Sequence, residues 1–236
     1  MKKNKMQMLK IILVNSITLI RFIGFFTLPF IYFYYDAGIC AIVTLCLFLT
    51  DFIDGFLARR LHASTLLGAF LDALCDKLLN IMSIILIGIT YESMLFPLII
   101  EASILYTSYE TFRYGGNIKT LYIGKIKTFV LNVSVIICFI FIGLNKIQTT
   151  NSIILHLIHY SEKYINVISS ITSVLCLITL LCYIKKYKMT REDKNAMKIV
   201  KTKKKFKTKE ELKRIALDTQ YYLKHKDESI MAQIYI

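Results

Sequence analysis

Long apolar runs separated by short polar segments dominate the first 184 residues of the chain. Most of these runs are close to the ~20 residues that a helix needs to cross a bilayer. They cover residues 11–35, 39–58, 68–89, 96–109, 129–144 and 165–184. The pattern predicts an all-α, polytopic membrane protein with six transmembrane helices. A polar loop is predicted over 145–164, between the last two.

The chain changes character after residue 184. Residues 185–236 hold 16 of the 30 Lys and Arg residues and few apolar runs. We therefore predict a six-helix transmembrane domain over 1–184 and a basic tail over 185–236, partly helical or disordered. Residues 210–225 have helical periodicity, with a possible apolar stripe formed by Leu212, Ile215, Ala216, Tyr222 and Leu223.

The basic residues also predict the orientation of the chain. With six spans, the Lys-rich N-terminus, the Arg59–Arg60 loop, the Arg113–Lys127 loop and the tail share one side. The opposite loops carry only Lys146 and Lys163 as fixed positive charges. Because basic loops stay in the cytoplasm, we expect both termini at the cytoplasmic face of the cell membrane.

Composition narrows the class of protein further. The chain has 236 residues, of which 56% are hydrophobic, and a formal net charge of +14. A polybasic segment beside a membrane is attracted to anionic lipid, so we assign this charge to membrane lipids and predict no nucleic-acid partner. The six cysteines lie within or beside apolar runs without C-x-x-C spacing, so we expect buried thiols.

Four aspartates stand at the ends of two neighbouring apolar runs. Asp51 and Asp54 are three apart near the end of one predicted helix, and Asp72 and Asp76 are four apart near the start of the next. Each pair therefore shares a helix face. If the two helices are antiparallel neighbours, the four carboxylates converge on one polar pocket.

Carboxylates within membrane helices are costly and mark function. Hard divalent cations such as Mg2+ relieve the repulsion between converging carboxylates, and paired metals serve displacement at phosphorus. A cation path in a transporter is one alternative, and a non-catalytic scaffold whose aspartates pair with Arg59 and Arg60 is another. A transporter would space its polar residues across the membrane, whereas here they gather at one face.

The spacing around these aspartates resembles the signature of the CDP-alcohol phosphatidyltransferase family. The residues at its fixed positions are Asp51, Asp54, Gly55, Ala58, Arg59, Gly68, Asp72 and Asp76. The resemblance implies a membrane enzyme, typically a homodimer, in which an alcohol attacks CDP-diacylglycerol and CMP is released.

The resemblance also implies roles for these residues. Two divalent ions, Mg2+ or Mn2+, would be held by Asp51, Asp54, Asp72 and Asp76. The fourth aspartate, Asp76, would also take the proton of the attacking hydroxyl. The nucleotide would be bordered by Asp51, Gly55, Ala58, Arg59 and Gly68.

A second motif bears on the acceptor alcohol. The sequence GKIKT at 124–128 resembles an element of the family branch that uses glycerol 3-phosphate, the phosphatidylglycerophosphate synthases. The expected ligands of the acceptor phosphate are Lys125, Lys127, Arg113 and Lys77. A basic cytoplasmic loop without such a role is the alternative. Phosphatidylglycerol, as in cardiolipin synthesis, and inositol phosphate are the rival acceptors.

The chain departs from that branch at two positions. Ile100 precedes Glu101 where the branch has an Arg-Glu pair, and Val14 replaces a proline common in the family. For Glu101, a structural interhelical hydrogen bond and a role in the site both stay open. Arg21, which ends an Asn-x-x-Thr-x-x-Arg segment similar to the family's, is expected to snorkel towards headgroup phosphates.

Overall fold

The computed structural model describes residues 2–114, 122–148, 150–192 and 208–225. Every regular element within these residues is helical, which confirms the all-α prediction. A short 3-10 turn, Glu92–Met94, precedes the fourth helix. The α-helices are α1 (Lys2–Tyr34), α2 (Ala37–Arg60), α3 (Leu66–Thr90), α4 (Leu95–Arg113), α5 (Tyr122–Leu144), α6 (Ser152–His159), α7 (Ser161–Glu192), α8 (Lys209–Leu217) and α9 (Thr219–His225).

Five of the described helices are long and apolar enough to cross a membrane, namely α1, α2, α3, α5 and α7. They make the chain a multi-pass membrane protein. Helix α4, which corresponds to the fourth predicted span, is not among them because Glu101 and Glu110 lower its hydropathy. Five of the six predicted spans therefore correspond to helices that are long and apolar enough to cross a membrane, and the span at α4 stays a prediction.

The long helices pack into one bundle around a shared apolar core. Helix α1 packs along both α2 and α3, α2 packs on α5, and α7 packs on α4 and α5. Leu28, Leu79, Phe139 and Ile165, each from a different helix, are fully buried in this core. The outer faces expose large apolar side chains such as Phe26, Ile42, Phe129 and Leu181. These faces suit contact with lipid chains.

Small residues allow two helices of the bundle to approach closely. A Cβ atom on Gly143 of α5 would lie 2.6 Å from the backbone nitrogen of Gly38 in α2. The start of α2 is fixed by Asp36, whose carboxylate accepts a hydrogen bond from the Gly38 N–H at 2.7 Å. The contact between α2 and α5 therefore depends on glycine.

A short turn brings the two aspartate pairs to the same end of the bundle. Only residues 61–65 separate α2 from α3, and His62 takes a left-handed conformation with φ of 51°. Thr65 caps α3 by accepting a hydrogen bond from the Gly68 N–H at 3.0 Å. The end of α2 and the start of α3 consequently stay close together.

Helix boundaries differ from the sequence prediction in two places. The predicted polar loop 145–164 contains α6, whose first turn is capped by Asn151. Helix α7 continues to Glu192, past the predicted end at residue 184, because charged residues end an apolar run without ending a helix. The predicted domain boundary at residue 184 stays a prediction. Two cysteines also depart from the expected burial, since Cys46 is exposed and Cys182 is only partly buried.

The helical periodicity of 210–225 is confirmed by α8 and α9. Thr208 and Glu211 form a reciprocal capping box at the start of α8. The remaining parts of the basic tail, 193–207 and 226–236, and the basic loop segment 115–121 lie outside the described residues.

Candidate active site

Arg21 of α1 stands at the centre of the aspartate cluster, and its side chain is fully buried. Its Nη1 donates to Asp51 Oδ1 at 3.0 Å and to Asp76, while Nη2 donates to Asp54 and Asp72. The expectation that Arg21 snorkels to headgroup phosphates is wrong. Four carboxylates within the bundle provide it with charge-assisted hydrogen bonds, so the guanidinium turns inward.

The predicted convergence of the four carboxylates is confirmed. It arises because α2 and α3 both pack on α1 and direct their aspartates towards the same guanidinium. Asp54 is almost completely buried and also accepts a hydrogen bond from Thr18 Oγ1 at 2.9 Å. The side chains of Asp51, Asp72 and Asp76 are 37–43% exposed. The cluster is therefore shielded from solvent at Asp54 and open to solvent at Asp51, Asp72 and Asp76.

The open side has the donors of a cation site. Carboxylate oxygens of Asp51, Asp72 and Asp76 lie within 4.8 Å of one another. Hard divalent cations prefer such oxygen donors, and one guanidinium balances only part of the charge of four carboxylates. The donor set therefore suits a divalent cation, which would compete with Arg21 for the same oxygens.

A cavity of about 340 Å³ adjoins the cluster. Asp54 and Asp72 line it together with four of the five predicted nucleotide-binding residues, namely Gly55, Ala58, Arg59 and Gly68. Asp51, the fifth, is not among the lining residues and lies in the aspartate cluster instead. The volume falls in the range of small-molecule sites.

Two glycines shape this cavity in different ways. A Cβ atom on Gly55 would meet nothing within 4 Å, so this position borders open space. A Cβ atom on Gly68 would lie 2.8 Å from Asn15 Oδ1 of α1, so glycine here permits close approach of α3 to α1. Glycine therefore permits close packing at position 68, whereas Gly55 leaves room for a ligand.

The tail also reaches this cavity. Tyr222 and Leu223 of α9 line it beside Asn15 and Thr18 of α1. The sequence prediction placed none of these four residues in the site. The polar positions Asn15, Thr18 and Arg21 recur every three residues along α1, and this polar stripe is the signal that could have identified Asn15 and Thr18.

A second charged cluster lies between α3, α4 and α5. Lys127 of α5 donates a hydrogen bond to Glu101 of α4, and both side chains are more than nine-tenths buried. Lys77 of α3 lies within electrostatic reach of both. The interhelical hydrogen bond expected for Glu101 is thus present, with a lysine as the partner.

The predicted acceptor ligands therefore divide into two groups. Lys127 is paired with Glu101 inside the bundle, and Lys77 is partly buried on α3. Lys125 is exposed on the first turn of α5. Arg113 is 66% exposed and its Nη1 lies 3.5 Å from Glu110 on its own helix. The structure does not bring these two residues to the buried pair.

Comparison with known proteins identifies the class to which this fold and site belong. The family model described as CDP-alcohol phosphatidyltransferase matches residues 11–178, which is most of the chain. The chain therefore belongs to the CDP-alcohol phosphatidyltransferase family. Helices α8 and α9 lie beyond the matched residues.

Individual relatives match shorter segments. A Yersinia pestis (strain Pestoides F) protein named CDP-diacylglycerol–glycerol-3-phosphate 3-phosphatidyltransferase is 39% identical over 72 residues, 30% of this chain and 38% of that protein. A protein of the same name from Blochmanniella floridana is 33% identical over 104 residues, 41% of this chain and 55% of that protein. One from Pectobacterium atrosepticum is 37% identical over 75 residues, 31% of this chain and 41% of that protein. The chain thus spans about two fifths to just over half of the length of these relatives.

Proposed function

We propose that the chain transfers a phosphatidyl group from CDP-diacylglycerol to glycerol 3-phosphate, giving phosphatidylglycerophosphate and CMP. One observation carries the proposal. The four signature aspartates converge beside a cavity that Gly55, Ala58, Arg59 and Gly68 of the same signature line. The names of the relatives support glycerol 3-phosphate as the acceptor.

The nucleotide end of CDP-diacylglycerol would occupy this cavity. Gly55 leaves space for the cytidine beside Ala58 and Gly68, and Arg59 supplies positive charge for the phosphates. Two divalent ions, Mg2+ or Mn2+, would be held by Asp51, Asp54, Asp72 and Asp76. When bound, these ions would neutralise the negative charge of the pyrophosphate.

The chemical step is a displacement at phosphorus. The acceptor hydroxyl oxygen bonds to the phosphorus that carries the diacylglycerol, and the bond from this phosphorus to the CMP oxygen breaks. Asp76 accepts the hydroxyl proton, a role that requires the carboxylate to lie within hydrogen-bond reach of the acceptor. Asp76 is on the open side of the cluster with its side chain 37% exposed, which supports this assignment.

The charged cluster of Lys77, Lys127 and Glu101, called the lysine cluster below, would bind the phosphate of the acceptor. Lys127 is paired with Glu101, and Lys77 within electrostatic reach adds a second positive charge that would be left for an anion. Glu101 positions Lys127 through their hydrogen bond. The exposed Lys125 and Arg113 would attract the soluble anion towards the site without holding it.

The arrangement in the membrane is part of the same proposal. Helix α4 would form a sixth span, since it packs on α7 within the bundle and bears a charge that Lys127 neutralises. The basic loops support a cytoplasmic site, where glycerol 3-phosphate is found. Resemblance to the family supports a homodimer.

The proposal is tested by CMP release from CDP-diacylglycerol by the purified chain with Mg2+ or Mn2+. Glycerol 3-phosphate, inositol phosphate, serine and phosphatidylglycerol are supplied in parallel, with Asp76→Asn as the inactive control. Release with glycerol 3-phosphate alone is the expected result. Release with another acceptor would contradict the assigned substrate but not the reaction. No release with any acceptor, from folded and metal-loaded protein, would favour a transporter or scaffold.

A further inference from the structure

The last described segment of the tail returns to the cavity of the site. Tyr222 and Leu223 of α9 line the same cavity as Gly55, Ala58 and Gly68. These two residues lie more than forty positions beyond residue 178, where the family match ends. The cavity is therefore completed by a part of the chain that the family signature does not include.

Specific contacts fix the position of α9 at the cavity. Gln7 Nε2 of α1 donates to Thr219 Oγ1 at 2.7 Å, and Thr219 is only 5% exposed. The Asp218 carboxylate caps α9 by accepting from the Gln220 and Tyr221 N–H groups at 2.9 and 3.2 Å. Helix α8, directly before it, packs on α3. The tail is thus attached to two of the helices that build the site.

The cavity wall combines charged side chains with small ones. Asp54, Asp72 and Arg59 provide its charged groups, whereas Gly55, Ala58, Ala63, Gly68 and Ala69 present small side chains or none. Tyr222 is the one aromatic side chain among the described residues that line the cavity. Aromatic rings supply a flat apolar surface on which any nucleobase can stack.

We propose that Tyr222 is a nucleotide-binding residue whose ring packs on the cytosine base, with Leu223 extending the apolar surface. The inference rests on the proposed function, because it needs a cytidine nucleotide in this cavity. It adds a role for the tail, since the base would be held between the transmembrane domain and α9. Gln7 acts as a positioning residue through Thr219.

The first test measures the Kd of CDP, with Mn2+ present, for the purified full chain. Base–aromatic stacking is strong enough that Tyr222→Ala should weaken binding about tenfold. Tyr222→Phe keeps the ring and should bind CDP as the unaltered chain does. Tyr221→Ala is the matched control, since this neighbouring tyrosine does not line the cavity, and its Kd should change little.

A second test uses the absence of tryptophan from the sequence. Tyr222→Trp introduces a single fluorophore at the cavity while keeping an aromatic surface. CDP should quench its fluorescence with the same Kd that the binding measurement gives. Tyr221→Trp should show little quenching, which separates direct contact from a general change of the protein.

The outcomes distinguish this inference from the proposed function. An unchanged Kd of CDP for Tyr222→Ala would overturn the inference alone. A lower Kd would do the same, because it would mean that the segment blocks the site. If the chain binds CDP but does not use glycerol 3-phosphate as an acceptor, the inference about Tyr222 still holds. An unaltered chain that binds no CDP would overturn both.

Discussion

Two clusters of charged side chains lie within the helical bundle, and their charge excess is opposite. Around Arg21, four carboxylates share one guanidinium. Around Glu101, Lys127 pairs with the one carboxylate and Lys77 lies within electrostatic reach of both. Charges inside a membrane protein are costly unless they are paired or bind ions, so each excess calls for a ligand of the opposite sign.

Under the proposed function, this difference in charge would let one small bundle bind two substrates. The cluster around Arg21 suits cations and the pyrophosphate they bind, whereas the cluster around Glu101 suits the phosphate of an acceptor. Helix α3 contributes to both through Asp76 and Lys77. The two residues are consecutive and point about 100° apart on the helix, so α3 would hold both the proposed general base and a residue of the proposed anion site.

The largest effect is expected from Asp76→Asn. An amide cannot accept the hydroxyl proton, so kcat for CMP release should fall about 1000-fold. The matched control is Asp36→Asn at the start of α2, where asparagine is an equally good helix cap. Activity of Asp76→Asn within tenfold of the control would exclude Asp76 as the base.

The second-largest effect is expected from removing Arg21, the positive charge at the centre of the aspartate cluster. Arg21→Gln leaves Asp54 buried without its guanidinium, which should lower the free energy of unfolding by about 3 kcal/mol. Mn2+ should restore part of this loss, because a cation would replace the missing charge. Unfolding is followed in detergent with EDTA or with Mn2+. Equal loss under both conditions would contradict a cation site at these carboxylates.

The second cluster is tested by removing charges singly and together. Lys127→Met alone leaves Glu101 unpaired and should both destabilise the chain and raise KM for glycerol 3-phosphate about tenfold. Adding Glu101→Gln should recover the stability but not the KM, which separates structure from binding. Lys125→Met is the exposed control. Recovery of KM in the double variant would indicate a purely structural pair.

The smallest effect is expected at the cavity. Gly55→Ala places a methyl group in open space, so the fold should be unaffected while KM for CDP-diacylglycerol rises about fivefold, equivalent to ~1 kcal/mol. Gly143→Ala, at the tight contact of α5 with α2, should do the reverse and lower stability without changing KM. Reversal of this pattern would mean that the ligand does not border Gly55.

Sequence was sufficient for features that depend on local spacing. The apolar runs predict the long helices, and the i, i+3 and i, i+4 aspartates predict a shared face. Helix ends were harder to predict, because capping and tertiary contacts set them, as at Glu192 of α7 and Asn151 of α6. The fourth span stayed open because charge lowers the hydropathy of α4.

Sequence was insufficient where partners come from distant helices. Arg21 precedes the aspartates by at least thirty residues, and only the packing of α1 on α2 and α3 brings them together. The Glu101–Lys127 pair depends in the same way on the packing of α4 and α5 in one bundle. Tyr222 was assigned to an apolar stripe, but the surface that this stripe meets is visible only in the fold.

The most direct test of the account is transfer of label from radioactive glycerol 3-phosphate into the lipid phase by the purified chain. The account predicts labelled phosphatidylglycerophosphate that requires CDP-diacylglycerol and a divalent cation, and that disappears in Asp76→Asn. Label that stays in the aqueous phase while the folded chain binds CDP would contradict the assigned acceptor, and with it the role of the lysine cluster.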